Sequence, residues 1–184
     1  PRMSLPAEQV MVRFASGQDG RDGVAYMAAW GSDAVKVWLL GVPESGDESI
    51  PSRQEVDAWM MAIGEESAAR GLPLIVHATS LREAKVAVRA GAALLVHSVQ
   101  SEPVDEEFLD LAREAGTIYT PTLIVSENWW AMSRHAFSGE MPLIDDPNGC
   151  VDPGTRAKIE STPQYGQHPN IARLTDEIVA ARDE

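Results

Sequence analysis

The chain carries a single cysteine, Cys150, so no internal disulfide can form and the redox compartment stays open. No run approaches the roughly 20 apolar residues that a membrane helix needs. Basic residues are scarce: 15 Lys and Arg against 28 Asp and Glu leave a formal charge of −13. That balance argues against a nucleic-acid partner, because phosphate is gathered by Lys and Arg. A charged-then-apolar leader is also missing. Localisation is therefore left open, with the cytoplasm slightly favoured, and no membrane partner is expected. The two phosphate-cradling signatures, G-x-G-x-x-G and G-x-x-x-x-G-K-S/T, are absent as well.

What is present is a repeated unit of helix, glycine and short apolar strand. The 184 residues, 44% of them hydrophobic, suffice to bury a real core. Gly31 precedes Ser-Asp-Ala-Val-Lys-Val-Trp-Leu-Leu, Gly71 precedes Leu-Pro-Leu-Ile-Val-His-Ala, Gly91 precedes Ala-Ala-Leu-Leu-Val-His-Ser, and Gly116 precedes Thr-Ile-Tyr-Thr-Pro-Thr-Leu-Ile-Val. Each glycine sits where a helix end needs positive φ. Each apolar run has strand length and little polar alternation, as in a parallel sheet buried on both faces. Ser52 with Glu55, and Ser80 with Glu83, fit the S-x-x-E capping box and open helices near 53–70 and 81–90. Asp105, Glu106 and Glu107 open another near 105–115, and residues 20–30 form a fourth.

Such units in series define an α/β fold with a parallel sheet. Without a nucleotide-binding turn, a barrel is favoured over an open doubly wound sheet. About eight units close a barrel, so this chain is expected to be a partial TIM (β/α)8 barrel covering about strands four to seven. The ends agree with a fragment: the chain starts Pro1-Arg2-Met3 and stops at Ala180-Ala181-Arg182-Asp183-Glu184 with no helix stop signal. We expect one domain over 1–184, with 126–168 an irregular, lid-like insertion rich in Pro and Gly. A closing helix is expected from about Asn170.

Three polar residues interrupt the apolar strands at similar depth. Lys36 follows Gly31 by five residues, and His77 and His97 follow Gly71 and Gly91 by six. The C-terminal ends of barrel strands are where active sites are built. A lone strand-end histidine is most often a hydrogen-bonded core residue, and a lone lysine can pair with an acid or reach solvent. Their coincidence on three consecutive strands favours a shared metal-binding role. Alternation places Ile75, His77 and Thr79 on one side of their strand, and Leu95, His97 and Val99 on one side of theirs.

These segments, with Ala-Gly-Thr-Ile-Tyr-Thr-Pro-Thr-Leu at residues 115–123, resemble the amidohydrolase superfamily, in particular its imidazolonepropionase-like and Xaa-Pro dipeptidase-like branch. The resemblance runs from about Val24 to Val125 and is weaker beyond. It implies a metal-dependent hydrolase that cleaves an amide or peptide-like C–N bond with metal-activated water. It further implies that Lys36 carries CO2 as a carbamate bridging two divalent ions, and that His77 and His97 hold one of them. Zinc suits such nitrogen and oxygen donors, and one or two ions are expected. The family's first-strand H-x-H pair and last-strand Asp have no counterpart here. The fragment alone is thus expected to be inactive.

Tyr119 and Thr122 on the last strand are candidate substrate-binding residues, for a small-molecule or dipeptide-like substrate. His135, His168 and Cys150 lack partners at ligand spacing and are set aside. Homo-oligomerisation stays open. Two rivals remain: a metal-free barrel module for binding or assembly, and a lyase using Lys36 as a Schiff-base amine.

Overall fold

The computed structural model describes residues 13–42, 50–100 and 102–167. Two compact units divide the chain, Pro1–Thr122 and Leu123–Glu184. The closing helix expected from Asn170, and His168, lie outside the described residues.

The first unit alternates helix and strand: α1 Gly17–Ala29, β1 Val35–Trp38, α2 Arg53–Ala69, β2 Leu74–His77, α3 Leu81–Arg89, β3 Ala92–Val96, α4 Glu106–Ala115 and β4 Ile118–Thr120. All strands pair in parallel in the order β1-β2-β3-β4. Local chemistry sets these boundaries. Ser52 and Glu55 form the full capping box that opens α2, and Ser80 accepts from Glu83 N–H at the start of α3. Asp105 caps α4 in the same way. Gly116 takes a left-handed φ of 65° to end α4. Pro121, which has no N–H to give to a ladder, follows the last residue of β4.

The helices cover one face of this sheet. Val35 and Val37, Leu74 and Val76, and Leu95 are all buried there against Val24 of α1, Met60 and Ile63 of α2, Ala84, Ala87 and Val88 of α3 and Phe108 of α4. Close packing leaves no room at Gly64, where an added Cβ would lie 2.0 Å from the Ala90 carbonyl oxygen. The opposite face carries Lys36, Trp38, Ile75, His77, Leu94, Val96, Ile118 and Thr120, by strand register. None of them is buried. The expectation of strands buried on both faces thus holds for only one face among the described residues.

The register contains one irregularity. Leu74 pairs with Ala92 but Ile75 pairs with Leu94, so Ala93 is an extra residue that re-phases β3 against β2.

The second unit corrects another expectation. Residues 126–168 were read as irregular, yet they carry most of α5 Val125–Ser138, all of α6 Pro153–Glu160 and a short 3-10 helix, Thr162–Gln167. Asp152 caps α6 with bonds from the Gly154 and Thr155 N–H groups, and Pro153 stands at its first position, an N-terminal signal readable in the sequence. Asp146 accepts from the N–H groups of Cys150 and Val151 and from the Arg156 guanidinium, which pins the intervening turn.

Candidate metal-binding site

Lys36 and Trp38 share the open face of β1, and Trp38 stands opposite His77 in the ladder. Their rings meet edge to face at a centroid distance of 5.4 Å. His77 also meets His97, at 4.5 Å and an interplanar angle of 68°. Lys36, His77 and His97, read from three separate strands, therefore line one cavity of about 770 Å³ together with Trp38 and Arg13. Val35 and Val37 border the same cavity, which thus follows the outer edge of β1. No strand among the described residues pairs with that edge.

The route by which His97 arrives differs from simple alternation. His77 pairs with Val96, so Val96 takes the open face and the next residue should turn toward the helices, as Leu95 does. Instead His97 adopts a φ of +80°, the one positive value among non-glycine residues described. This left-handed backbone brings its ring to His77. Such conformations cost roughly 1–3 kcal/mol and persist only where surroundings fix them. Two contacts do so: His97 N–H donates to the Thr120 carbonyl at 3.1 Å, and its Nδ1 lies 2.9 Å from Thr122 Oγ1.

Electrostatics keeps the His77 imidazole uncharged near neutral pH. Loss of solvation, then the nearby charges of His97 and Lys36, lower the His77 pKa from 6.5 to about 4. Lys36 is also lowered, by desolvation, although its side chain is not buried in an apolar interior as its sequence neighbours suggested. A neutral imidazole has a free lone pair at neutral pH, the form in which histidine binds metals. Among the described residues no group of three or more His, Cys, Asp or Glu is gathered to hold a metal. Two imidazoles beside an amine fit part of a coordination shell, with further donors needed to complete it.

Thr122 reaches the site through its hydroxyl, which contacts His97, although it does not line the cavity itself. Tyr119 does not share the histidine face: it pairs with buried Leu95 and packs against Phe108 of α4 at 6.0 Å. Its hydroxyl accepts from Val99 N–H at 2.7 Å, which ties down the loop after His97. This corrects the expectation of a substrate-facing Tyr119. Sequence reading missed Trp38, whose spacing of two from Lys36 was signal enough. It also missed Ser98, whose hydroxyl oxygen is buried with no hydrogen-bond partner among the described residues. His135 bonds only locally, to the Glu140 carbonyl, and Cys150 is exposed.

Several solved structures share this arrangement of elements, among them one described as an amidohydrolase, with 22% identity and a TM-score of 0.50 over 88% of this chain and 35% of its own. A protein described as uncharacterized aligns with 25% identity and a TM-score of 0.51, covering 91% of this chain. A Xaa-Pro dipeptidase with methionine bound in its active site aligns with 22% identity, a TM-score of 0.51 and the same coverage. A prolidase complexed with N-methylphosphonate-L-proline aligns with 23% identity and a TM-score of 0.50, again over 91%. The chain spans 36% of the length of each of the latter three structures. No family model and no curated protein matches. The resemblance carried by the sequence motifs is thus borne out as an amidohydrolase-like fold.

Proposed function

We propose that this chain forms an arc of a (β/α)8 barrel, about strands four to seven, in a metal-dependent hydrolase that cleaves amide or peptide-like C–N bonds. The observation that carries the reading is the convergence of Lys36, His77 and His97 on one cavity, with His77 the last residue of β2 and His97 the first after β3. A sheet with helices on one face and an open face bearing polar ligands has the layout of a barrel wall, helices outside and site inside. The prolidase and dipeptidase names among structures of like fold point the same way. A dipeptide-like or other small amide is the substrate class.

In this reading His77 and His97 hold a divalent ion, zinc by donor type. Lys36 contributes either its amine or, after capture of CO2, an oxygen donor; its lowered pKa favours the neutral amine that capture needs. A bound ion would supply an activated water and polarise the substrate carbonyl. The chain's own residues supply orientation: Trp38 walls His77, and the Thr120 carbonyl holds the His97 backbone. The donor set is incomplete among the described residues, so the proposal assigns turnover to a longer protein and inactivity to this chain alone.

The lowered Lys36 pKa also suits a Schiff-base amine, the rival chemistry. Metal content after chelator-free purification separates them, measured on the chain and on His77→Ala and His97→Ala. The hydrolase reading expects a divalent ion in the parent that is lost in both variants. Absence of metal from the parent and from the longest protein containing it, with borohydride trapping of a carbonyl compound on Lys36, would replace it with the lyase.

A further inference from the structure

We propose that Thr122 is a positioning residue that fixes the tautomer of His97, by accepting a hydrogen bond from Nδ1–H and leaving Nε2 bare. The assignment of that ring to a metal rests on the function proposed above, whereas the orientation itself rests on geometry. Thr122 Oγ1 lies 2.9 Å from His97 Nδ1, on the residue after the proline that ends β4. His97 Nδ1 is therefore committed to the sheet, and the ring's other nitrogen is the one available to the cavity it lines.

A hydroxyl can donate or accept here, and the site's chemistry decides between the two. If Thr122 donated to Nδ1, the proton would sit on Nε2 and the cavity would receive an N–H instead of a lone pair. If it accepts, the ring presents a lone pair beside His77, and two imidazole donors face one volume. A ligating histidine ordinarily has its second nitrogen tied in this way, which sets both tautomer and ring plane. The left-handed backbone of His97 adds to the need, because the ring is held against local backbone preference and a side-chain anchor limits its freedom.

The same bond spans the gap between the ends of β3 and β4, so one contact orders the ring and closes the last strand pair. Removing it should therefore change the ring's state, and a methyl of equal shape isolates that effect from packing. Thr122→Val removes the acceptor, and Thr122→Ser keeps it.

The test is imidazole 15N NMR of the metal-free full chain above pH 7, for the parent, Thr122→Val and Thr122→Ser. Retained amide spectra serve as the check on folding, and Thr122→Ala replaces the Val variant if the latter is misfolded. The proposal expects His97 to show a protonated Nδ1 and a bare Nε2 in the parent and the Ser variant. The Val or Ala variant should shift toward the Nε2–H form that free histidine prefers. A parent already in the Nε2–H form, or an unchanged ring in both the Val and Ala variants, overturns it. Co2+ titration of the same samples separates the two ideas. Affinity about 10- to 100-fold weaker in Thr122→Val and restored in Thr122→Ser supports positioning of a ligand. Failure of the parent to bind Co2+, with the tautomer held, removes the metal reading and leaves the positioning role standing.

Discussion

The two faces of the four-stranded sheet are built from similar residues and do different things. On the helix face, Val35, Val37, Leu74, Val76 and Leu95 vanish into the core. On the other face, Trp38 is 57% exposed and Ile118 65%, while Lys36 and His77 stand among them. The alternation of one strand thus separates stability from chemistry. The covered face can be packed to high density because nothing there must move or bind. The open face keeps its polar groups accessible, and it is where a non-glycine backbone enters the left-handed region.

This contrast can be broken most strongly from the covered side. Leu95→Ala, at a position 1% exposed, should cost about 2–5 kcal/mol in urea unfolding. Gly64→Ala should cost about 3 kcal/mol or more, because the new Cβ would sit 2.0 Å from a backbone oxygen that cannot yield without moving α2 from α3. A loss under 1 kcal/mol for both would mean that the helices do not anchor the sheet.

An intermediate effect should appear with pH. The folded His77 pKa of about 4 lies below its ordinary 6.5, so between these values the unfolded chain binds more protons than the folded one. Stability from this residue is full above about 6.5, declines as pH falls toward 4, and stays flat below. Partial solvation of the ring keeps the change to about 1–2 kcal/mol, well under the full linkage value. His77→Gln should abolish that slope, and an unchanged slope would locate the titration elsewhere.

A smaller effect sharpens the view of the open face. His97→Gly should be more stable than His97→Ala by roughly 1 kcal/mol, since glycine alone takes a φ of +80° without penalty. Equal stabilities would show that the left-handed backbone is not maintained. The smallest effect belongs to Ile118→Ala, which should lie within about 0.5 kcal/mol of the parent. The same truncation class as Leu95→Ala, one face over, would then differ several-fold.

Much of this was legible in the sequence. Glycine followed by an apolar run located β1, β2, β3 and β4, and Ser52–Glu55 and Ser80–Glu83 opened α2 and α3. Equal spacing of six from Gly71 and Gly91 also put His77 and His97 at neighbouring strand ends, whereas Lys36, five after Gly31, pairs with Ile75, two residues short of His77. What resisted reading depended on register. The extra Ala93 and the φ of His97 are set by pairing across β3, and no residue pattern in β3 announces either. Tyr119 was misplaced for the same reason, because its face follows from pairing with Leu95. The α5 and α6 helices were hidden by surrounding prolines and glycines, although Asp152-Pro153 is a helix start and Gly139, left-handed at 70°, a helix end.

The central claim is that the open face carries a metal-binding histidine pair, and visible-absorption titration of the metal-free chain with Co2+ tests it most directly. The account predicts one saturable set of cobalt ligand-field bands, displaced by Zn2+ and absent from His77→Ala and His97→Ala. Bands that persist in both variants, or a parent chain and longer parent protein that bind no Co2+, would contradict it.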